Sequence, residues 1–369
     1  MQTPSATAII DLQFGSTGKG SLAGFMGEYG EFDAVATAWG PNAGHTSVYD
    51  DGTECVRTML SNAVFRSETI SKVFIGPGSM VNPEALISEI AHNKSFGQTD
   101  FLVLIHESAA VVLPADRDAE ASYGFKIGST MKGTAEAVMR KMRRLGDGPL
   151  PSTMGEWAAT LGKDSELANM VVPHKTYLAH LYNSKRVLLE GCQGYSLGIN
   201  SGFWPHTTSR ECSVPQLLSD TLMPLHSLEE VIGTLRTYPI RVANRYKDGE
   251  MVGTSGGCYF DQDEINWSDI GVEPELTTVT KLPRRVFTFS EMQIKEAIVR
   301  NSVNTLFVNF VNYLPTQAHR DEFFDTLTKA IPPGVEIAFK GYGRKISDIQ
   351  AEGVWADVKK SIDMEKANA

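Results

Sequence analysis

The chain has 369 residues, 42% of them hydrophobic, enough to bury a substantial core as one large domain or two smaller ones. A formal net charge of −10 excludes a global basic field for wrapping nucleic acid, so any phosphate must be held locally by glycine loops and a few placed cations. Four cysteines without metal-ligand spacing, no basic-then-apolar leader and no apolar run of bilayer length predict a reduced, soluble protein of the cytoplasm.

In chain order, short apolar runs recur at 6–11, 33–39, 72–76, 101–106, 186–191, 304–311 and 335–341. Their length and β-branched content predict buried strands. Helical patterns lie between them at 83–94, 133–146 and 290–303, with Pro83 suited to a first helical turn and Ser290 with Gln293 spaced as a capping box. Strands alternating with helices predict an α/β fold with a mostly parallel central sheet flanked by helices. With no low-complexity linker and no internal repeat, 1–369 is expected to be a single domain.

The first strand runs into "FGSTGKGS" (14–21). Backbone amides of Gly15, Ser16, Thr17, Gly18, Lys19 and Gly20 at a helix start suit phosphate oxygens, and Lys19 adds a charge. A tight strand-to-helix turn would need the same glycines. In "WGPNAGHTSVYDDG" (39–52), Asn42 and His45 rise from a glycine-rich turn after a strand, where a histidine can serve as an acid or simply as structure. A second Gly-Ser-Thr turn (128–130) opens a helix and offers another anion site, while Arg140, Arg143 and Arg144 on that helix equally fit a solvated face. "EGCQGYSLGINSGFWPHTTS" (190–209) carries Gln193, Thr207 and Thr208. "ELTTVTKLPRRVF" (275–287) sets hydroxyls beside Arg284 and Arg285, a carboxylate clamp in composition.

Taken in order, "QFGSTGKG", "NAGHT", "EGCQG", "PHTTS", "TTVTKLPRRV" and "KGYGR" resemble the motifs of the adenylosuccinate synthetase family over nearly the whole chain. The first matches that family's Q-W-G-D-E-G-K-G loop. The resemblance implies a Mg²⁺-dependent ligase that phosphorylates a purine 6-oxygen from a nucleoside triphosphate and displaces that phosphate with the amine of L-aspartate. By match, the triphosphate site comprises Gly15 to Gly20, Gly44, His45, Thr46, Asn309, Asn312, Lys340, Gly341 and Gly343. The purine nucleotide meets Ser16, Asn42, Ser129, Thr130, Gln193, Thr208 and Leu282. Arg144 is the residue that a neighbouring subunit donates to the 5′-phosphate, which implies a homodimer with shared sites. Thr278, Val279, Thr280, Arg284 and Arg285 match the L-aspartate site, and Ser16 with Gly44 the Mg²⁺ ligands. Ser16, Lys19 and His45 match the catalytic positions, His45 as the acid.

Three positions depart from the family. Its loop aspartate, the base at the purine N1, is Ser16 here. The arginine that reaches the ribose 2′-hydroxyl is Leu282, an apolar wall that leaves nothing unpaired beside a deoxyribose. The guanine-reading Thr-Lys-x-Asp becomes 309–312, with Phe310 and Asn312 in place of its lysine and aspartate, so ATP is expected as donor rather than GTP. Together these resemble the bacteriophage branch that makes 2-aminoadenylosuccinate from dGMP, within the cytoplasm of an infected host cell. An ordinary enzyme using IMP and GTP, or a silent nucleotide-binding relative, are the alternatives.

Overall fold

The computed structural model describes residues 3–98, 100–146, 148–162, 164–277 and 281–368. Among these, ten strands build one sheet: β1 (Ser5–Asp11), β2 (Ala34–Thr37), β3 (Lys72–Ile75), β4 (Leu102–His106), β5 (Val171–Val172), β6 (Arg186–Glu190), β7 (Leu228–Arg236), β8 (Thr305–Asn309), β9 (Glu336–Gly341) and β10 (Ile349–Ala351). Their order is β10-β9-β8-β7-β1-β6-β2-β3-β4-β5. Every neighbouring pair is parallel except β9 with β10. The expected mostly parallel α/β sheet is what forms.

Side chains alternate between two cores. Ile9, Val35, Leu188, Ile232 and Phe307 enter one, under α1 (Lys19–Tyr29) and α2 (Pro83–Ser95). Ala8, Ile10, Ala36, Leu189 and Val308 enter the other. A sheet covered on both faces needs near-continuous apolar runs, and this is why the seven predicted strands were readable. Asn82 caps α2 by accepting from Glu84 N and Ala85 N, with Pro83 in the first turn as expected. The helix predicted over 133–146 is α3 (Thr134–Arg143). At α4 (Glu291–Asn301) only half of the predicted capping box forms. Ser290 Oγ accepts from Gln293 N at 3.0 Å, but the Gln293 side chain turns away to donate to Ser196 Oγ at 2.8 Å.

The sequence pattern did not reveal β7. Glu229, Glu230, Thr234 and Arg236 interrupt its apolar residues, yet Val231, Ile232 and Leu235 are buried, and so are Thr234 and Arg236. Its position decides the site. Between β1 and β8, it brings the carboxyl ends of β2, β6, β1, β7 and β8 to one edge of the sheet. The chain runs from β1 to one side for β2 and later returns to the other side for β7, and ligands bind where the order reverses in this way. No helix among the described residues is long and apolar enough to cross a membrane.

Candidate active site

The loop after β1 folds around a buried carboxylate. Asp11 accepts from the backbone N–H of Gln13 (2.9 Å), Gly15 (3.2 Å) and Thr17 (3.3 Å), and from Thr17 Oγ1 at 2.5 Å. Gly15 and Gly18 have φ of 94° and 98°. Ser16 also takes the left-handed region, at φ 58°, which non-glycine residues rarely adopt. Ser16 is exposed at the top of the loop. No side chain caps α1, so its first-turn amides are left for an anion. Lys19 does not reach outward: it is buried, donating from Nζ to Asp11 Oδ2 at 3.2 Å and to the Gln193 carbonyl at 2.5 Å. It braces the loop against the segment after β6 and balances the charge of Asp11. Gly20 lets α1 lie directly on the backbone of Thr46.

Opposite stands His45. It is 4% exposed, and its Nδ1 lies 2.6 Å from Oε1 of Glu190, the last residue of β6, which is fully buried. The other carboxylate oxygen accepts from Ser61 Oγ at 2.6 Å. The ring stacks on Trp39, centroids 4.0 Å apart, and Trp39 Nε1 donates to the Glu190 carbonyl at 2.8 Å. With Nδ1 engaged, Nε2 is the nitrogen left for substrate. The motifs assign Glu190 no role; its one signal in the sequence is a charged residue closing an apolar strand just before a glycine-rich loop. Asn42, Gln193 and Thr208 come together as expected. Gln193 Nε2 donates to Asn42 Oδ1 (2.8 Å), and Asn42 Nδ2 to Thr208 Oγ1 (3.2 Å). Gln193 sits at φ 50°, and its buried Oε1 has no hydrogen-bond partner among the described residues, an acceptor open to a ligand.

The second Gly-Ser-Thr turn already holds an anion, the chain's own Glu120. Ser129 Oγ donates to its Oε1 at 2.5 Å and Gly133 N to its Oε2, while Thr130 beside them is half-buried. Arg140 is not solvated: it pairs with Asp116 and donates to the Val111 and Pro151 carbonyls. Arg144, by contrast, is exposed at the C-terminal end of α3, and its side chain has no partner among the described residues.

Thr278, Val279 and Thr280 lie outside the described residues. On either side of them, Thr277 N donates to the Leu282 carbonyl (2.9 Å) and Leu282 N to Thr277 Oγ1 (3.1 Å), and the Leu282 side chain is 37% exposed. The two arginines after it differ. Arg285 is gripped by Glu264 through two bonds (2.8 and 2.6 Å) and donates to Ser255 Oγ and the Gly256 carbonyl. Arg284 is half-buried and its guanidinium has no partner among the described residues. Burial lowers its pKa, against the pull of Glu275 and helped by Arg236.

At the end of β8, Asn309 is wedged between Gly18 and Gly341, where a Cβ on either glycine would strike its amide. It donates to the Thr17 carbonyl at 3.3 Å and accepts from Phe310 N at 2.8 Å, so it ties the loop after β1 to the ends of β8 and β9. Asn312 is exposed and unengaged among the described residues. Lys340 donates to Glu352 Oε1 at 2.6 Å, and Gly343 packs against the Asp348 carboxylate. Sequence reasoning also missed Arg236, wholly buried at the end of β7. It pairs with Glu275, donates to the Ser16 carbonyl at 3.2 Å and stacks on Phe310 at 3.9 Å.

A family model described as adenylosuccinate synthetase matches residues 8–147 and 152–319. The N6-succino-2-amino-2′-deoxyadenylate synthase of Acinetobacter phage SH-Ab 15497 is 41% identical, with 95% of both chains covered. The enzyme of the same name from Salmonella phage PMBT28 is 42% identical, covering 94% of this chain and 97% of the relative. The structure of cyanophage S-2L succinoaminodeoxyadenylate synthetase (PurZ), bound to dGMP and to dATP as an energy donor, matches with a TM-score of 0.85 at 36% identity, over 98% of this chain and 99% of that one. Adenylosuccinate synthetase from Plasmodium falciparum, 17% identical with a TM-score of 0.73 over 94% and 99% of the two chains, shares the fold. With a family model spanning most of its length and relatives above 40% identity along almost all of it, the chain belongs to the adenylosuccinate synthetase family and is an enzyme of the ligase class.

Proposed function

We propose that this enzyme joins L-aspartate to C6 of dGMP at the expense of ATP, giving N6-succino-2-amino-2′-deoxyadenylate, ADP and phosphate. The observation that carries the reading is Ser16: an uncharged, exposed side chain at the top of the loop after β1, at the position where the family has a carboxylate. A short neutral residue leaves room beside N1 for the 2-amino group of guanine. Leu282 presents an apolar wall with no donor for a 2′-hydroxyl. Phe310 and the exposed Asn312 lack the charges that read guanine in a donor. The names of the phage relatives, and the dGMP and dATP bound in the cyanophage enzyme, support the same reading.

In the first step the γ-phosphoryl group of ATP passes to the 6-oxygen; in the second the aspartate amine attacks C6 and phosphate leaves. The uncapped amides of α1 bind the transferred phosphoryl group, and an inward Lys19 keeps the loop in shape. His45, oriented by Glu190, offers Nε2 to the 6-oxygen. Asp11 is saturated by the loop and Glu190 by His45 and Ser61, so neither carboxylate is free as a separate base. The open Arg284 takes a carboxylate of L-aspartate, and Gln193 and Asn42 meet the purine nucleotide. Thr278, Val279 and Thr280 complete the aspartate site by family match.

Ser16 Oγ and the open Gly44 carbonyl are hard oxygen donors, the type Mg²⁺ selects, and the described residues offer no cluster of three or more His, Cys, Asp or Glu to hold a metal unaided. They therefore fit a Mg²⁺ that arrives with nucleotide phosphates and supplies neutralisation of their charge. The exposed Arg144 fits donation to a second copy, so the working form is a homodimer. Strands from both ends of the chain share one sheet, so 1–369 acts as one unit, in the cytoplasm of an infected host cell.

The deciding assay is phosphate release with L-aspartate and each of dGMP, GMP, IMP and dIMP, using ATP, dATP or GTP. The expected result is that dGMP has the highest kcat/KM and that an adenine nucleotide suffices as donor. Activity with IMP equal to or above that with dGMP, or strict GTP dependence, overturns the reading.

A further inference from the structure

Glu275 stands directly before the turn closed by Thr277 and Leu282, and its backbone carbonyl accepts from Arg284 N at 2.8 Å. A carboxylate so close to the open guanidinium of Arg284 would be its natural partner. Arg284 is near enough to act on its charge, yet both Glu275 oxygens are bonded elsewhere: Arg236 Nη1 donates to Oε2 at 3.3 Å, Nη2 to Oε1, and Tyr313 OH adds a bond to Oε1 at 2.9 Å. Arg236 is wholly buried and held at three more points, by the Ser16 carbonyl and by the rings of Phe310 and Tyr313. A removed guanidinium would leave Glu275 with one hydroxyl and a single cation in reach.

We propose that Arg236 and Tyr313 are positioning residues that occupy Glu275, and thereby keep Arg284 open for the carboxylate of the amino-acid substrate. The inference rests on the reading that L-aspartate binds at Arg284. It assigns Glu275 the part of an internal competitor, a carboxylate that would take the substrate's place if released. Charge balance fits this arrangement: one Glu275 charge is matched by Arg236, and Arg284 is left as the uncompensated cation. Burial works to raise the Glu275 pKa, yet Arg236 and the Tyr313 hydroxyl outweigh it and hold the carboxyl below its usual range, so it stays ionised and bound. Arg284, whose pKa burial lowers, gains most from a carboxylate that brings charge to it.

The test is a rescue. In Arg236→Met the KM for L-aspartate should rise about tenfold, within the range by which neighbouring charges couple. Adding Glu275→Gln to that variant should return the KM for L-aspartate to within about threefold of the parent, whatever shift in dGMP KM the lost bond to the Ser16 carbonyl brings to both variants alike. A purely structural role for Arg236 predicts the reverse, since weakening a second member of the same bonded cluster would deepen the defect. Thermal melts monitor folding. Should Arg236→Met fail to fold, Tyr313→Phe keeps the ion pair and decides the matter, with a rise of about two- to fivefold that Glu275→Gln abolishes. Calorimetric binding of L-aspartate to the same proteins, run alongside turnover, separates the two readings. Turnover of the parent enzyme judges the reaction, and the ratio between single and double variants judges the competitor. A double variant as impaired as the single one, in KM and in binding, overturns the inference.

Discussion

Glu190→Gln tests the acid assignment at its support rather than at the ring. The carboxylate is fully buried, 2.6 Å from His45 Nδ1 and 2.6 Å from Ser61 Oγ, so it receives two donors at once. An amide of the same shape can accept one of them and must turn an NH₂ toward the other. The lost charge-assisted hydrogen bond is worth about 1.5–3 kcal/mol. Trp39 still stacks on the ring and limits how far it can move. If that energy is realised in the transition state, kcat falls by roughly tenfold to a hundredfold, at about 1.4 kcal/mol per decade, with KM for both nucleotides nearly unchanged. Steady-state phosphate release over a pH series is the measurement, with His45→Asn and the double variant beside it. Residues that act as a unit give non-additive losses, so the double variant should be little worse than His45→Asn alone. A kcat within twofold of the parent, or strictly additive losses, would refute the coupling of Glu190 to His45.

Three further outcomes are expected. Leu282→Arg should narrow the preference for dGMP over GMP by about 1–3 kcal/mol, read from kcat/KM ratios. Ser16→Asp should impair dGMP turnover more than IMP turnover, because a longer, charged side chain fills the space beside N1; equal losses would count against that geometry. His106 is buried and 2.9 Å from His174, and burial first, then the charge of His174, pushes its pKa from 6.5 down to about 4. A histidine kept neutral in the fold takes its proton first in the unfolded chain. Stability from this site is therefore complete above pH 6.5 and lost as pH falls toward 4. Melting temperatures across that window should drop less steeply in His106→Asn.

The readable parts of this fold are those where one physical demand dominates. Strands buried on both faces must be apolar throughout, so β1, β2, β3, β4, β6, β8 and β9 announce themselves. β7 does not, because Thr234 and Arg236 are buried there for their hydrogen bonds rather than their hydrophobicity. Loop motifs led to Asn42, His45, Gln193 and Thr208, which the structure gathers, since glycine-rich turns reveal where side chains are presented. The residues behind them stayed hidden. Glu190, Glu120 and Glu275 are single carboxylates whose importance lies in which distant group they face, and neither spacing nor composition carries that. The same holds for Lys19 and Arg285: their identity was legible, but not that each is already engaged.

The wedge of Asn309 between Gly18 and Gly341 limits what those three positions can become. Neither glycine accepts a side chain without displacing that amide, and Gly18, at φ 98°, is further fixed by its backbone. One position on the loop after β1 and two at the ends of neighbouring strands are thus locked together, and a change at any of them disturbs that loop. Asn312, three residues on, is exposed and unengaged among the described residues. If residue 312 faces the donor base as proposed, a change there leaves the contacts of Asn309 with Gly18 and Gly341 intact, so the base can be re-read while the loop keeps its shape.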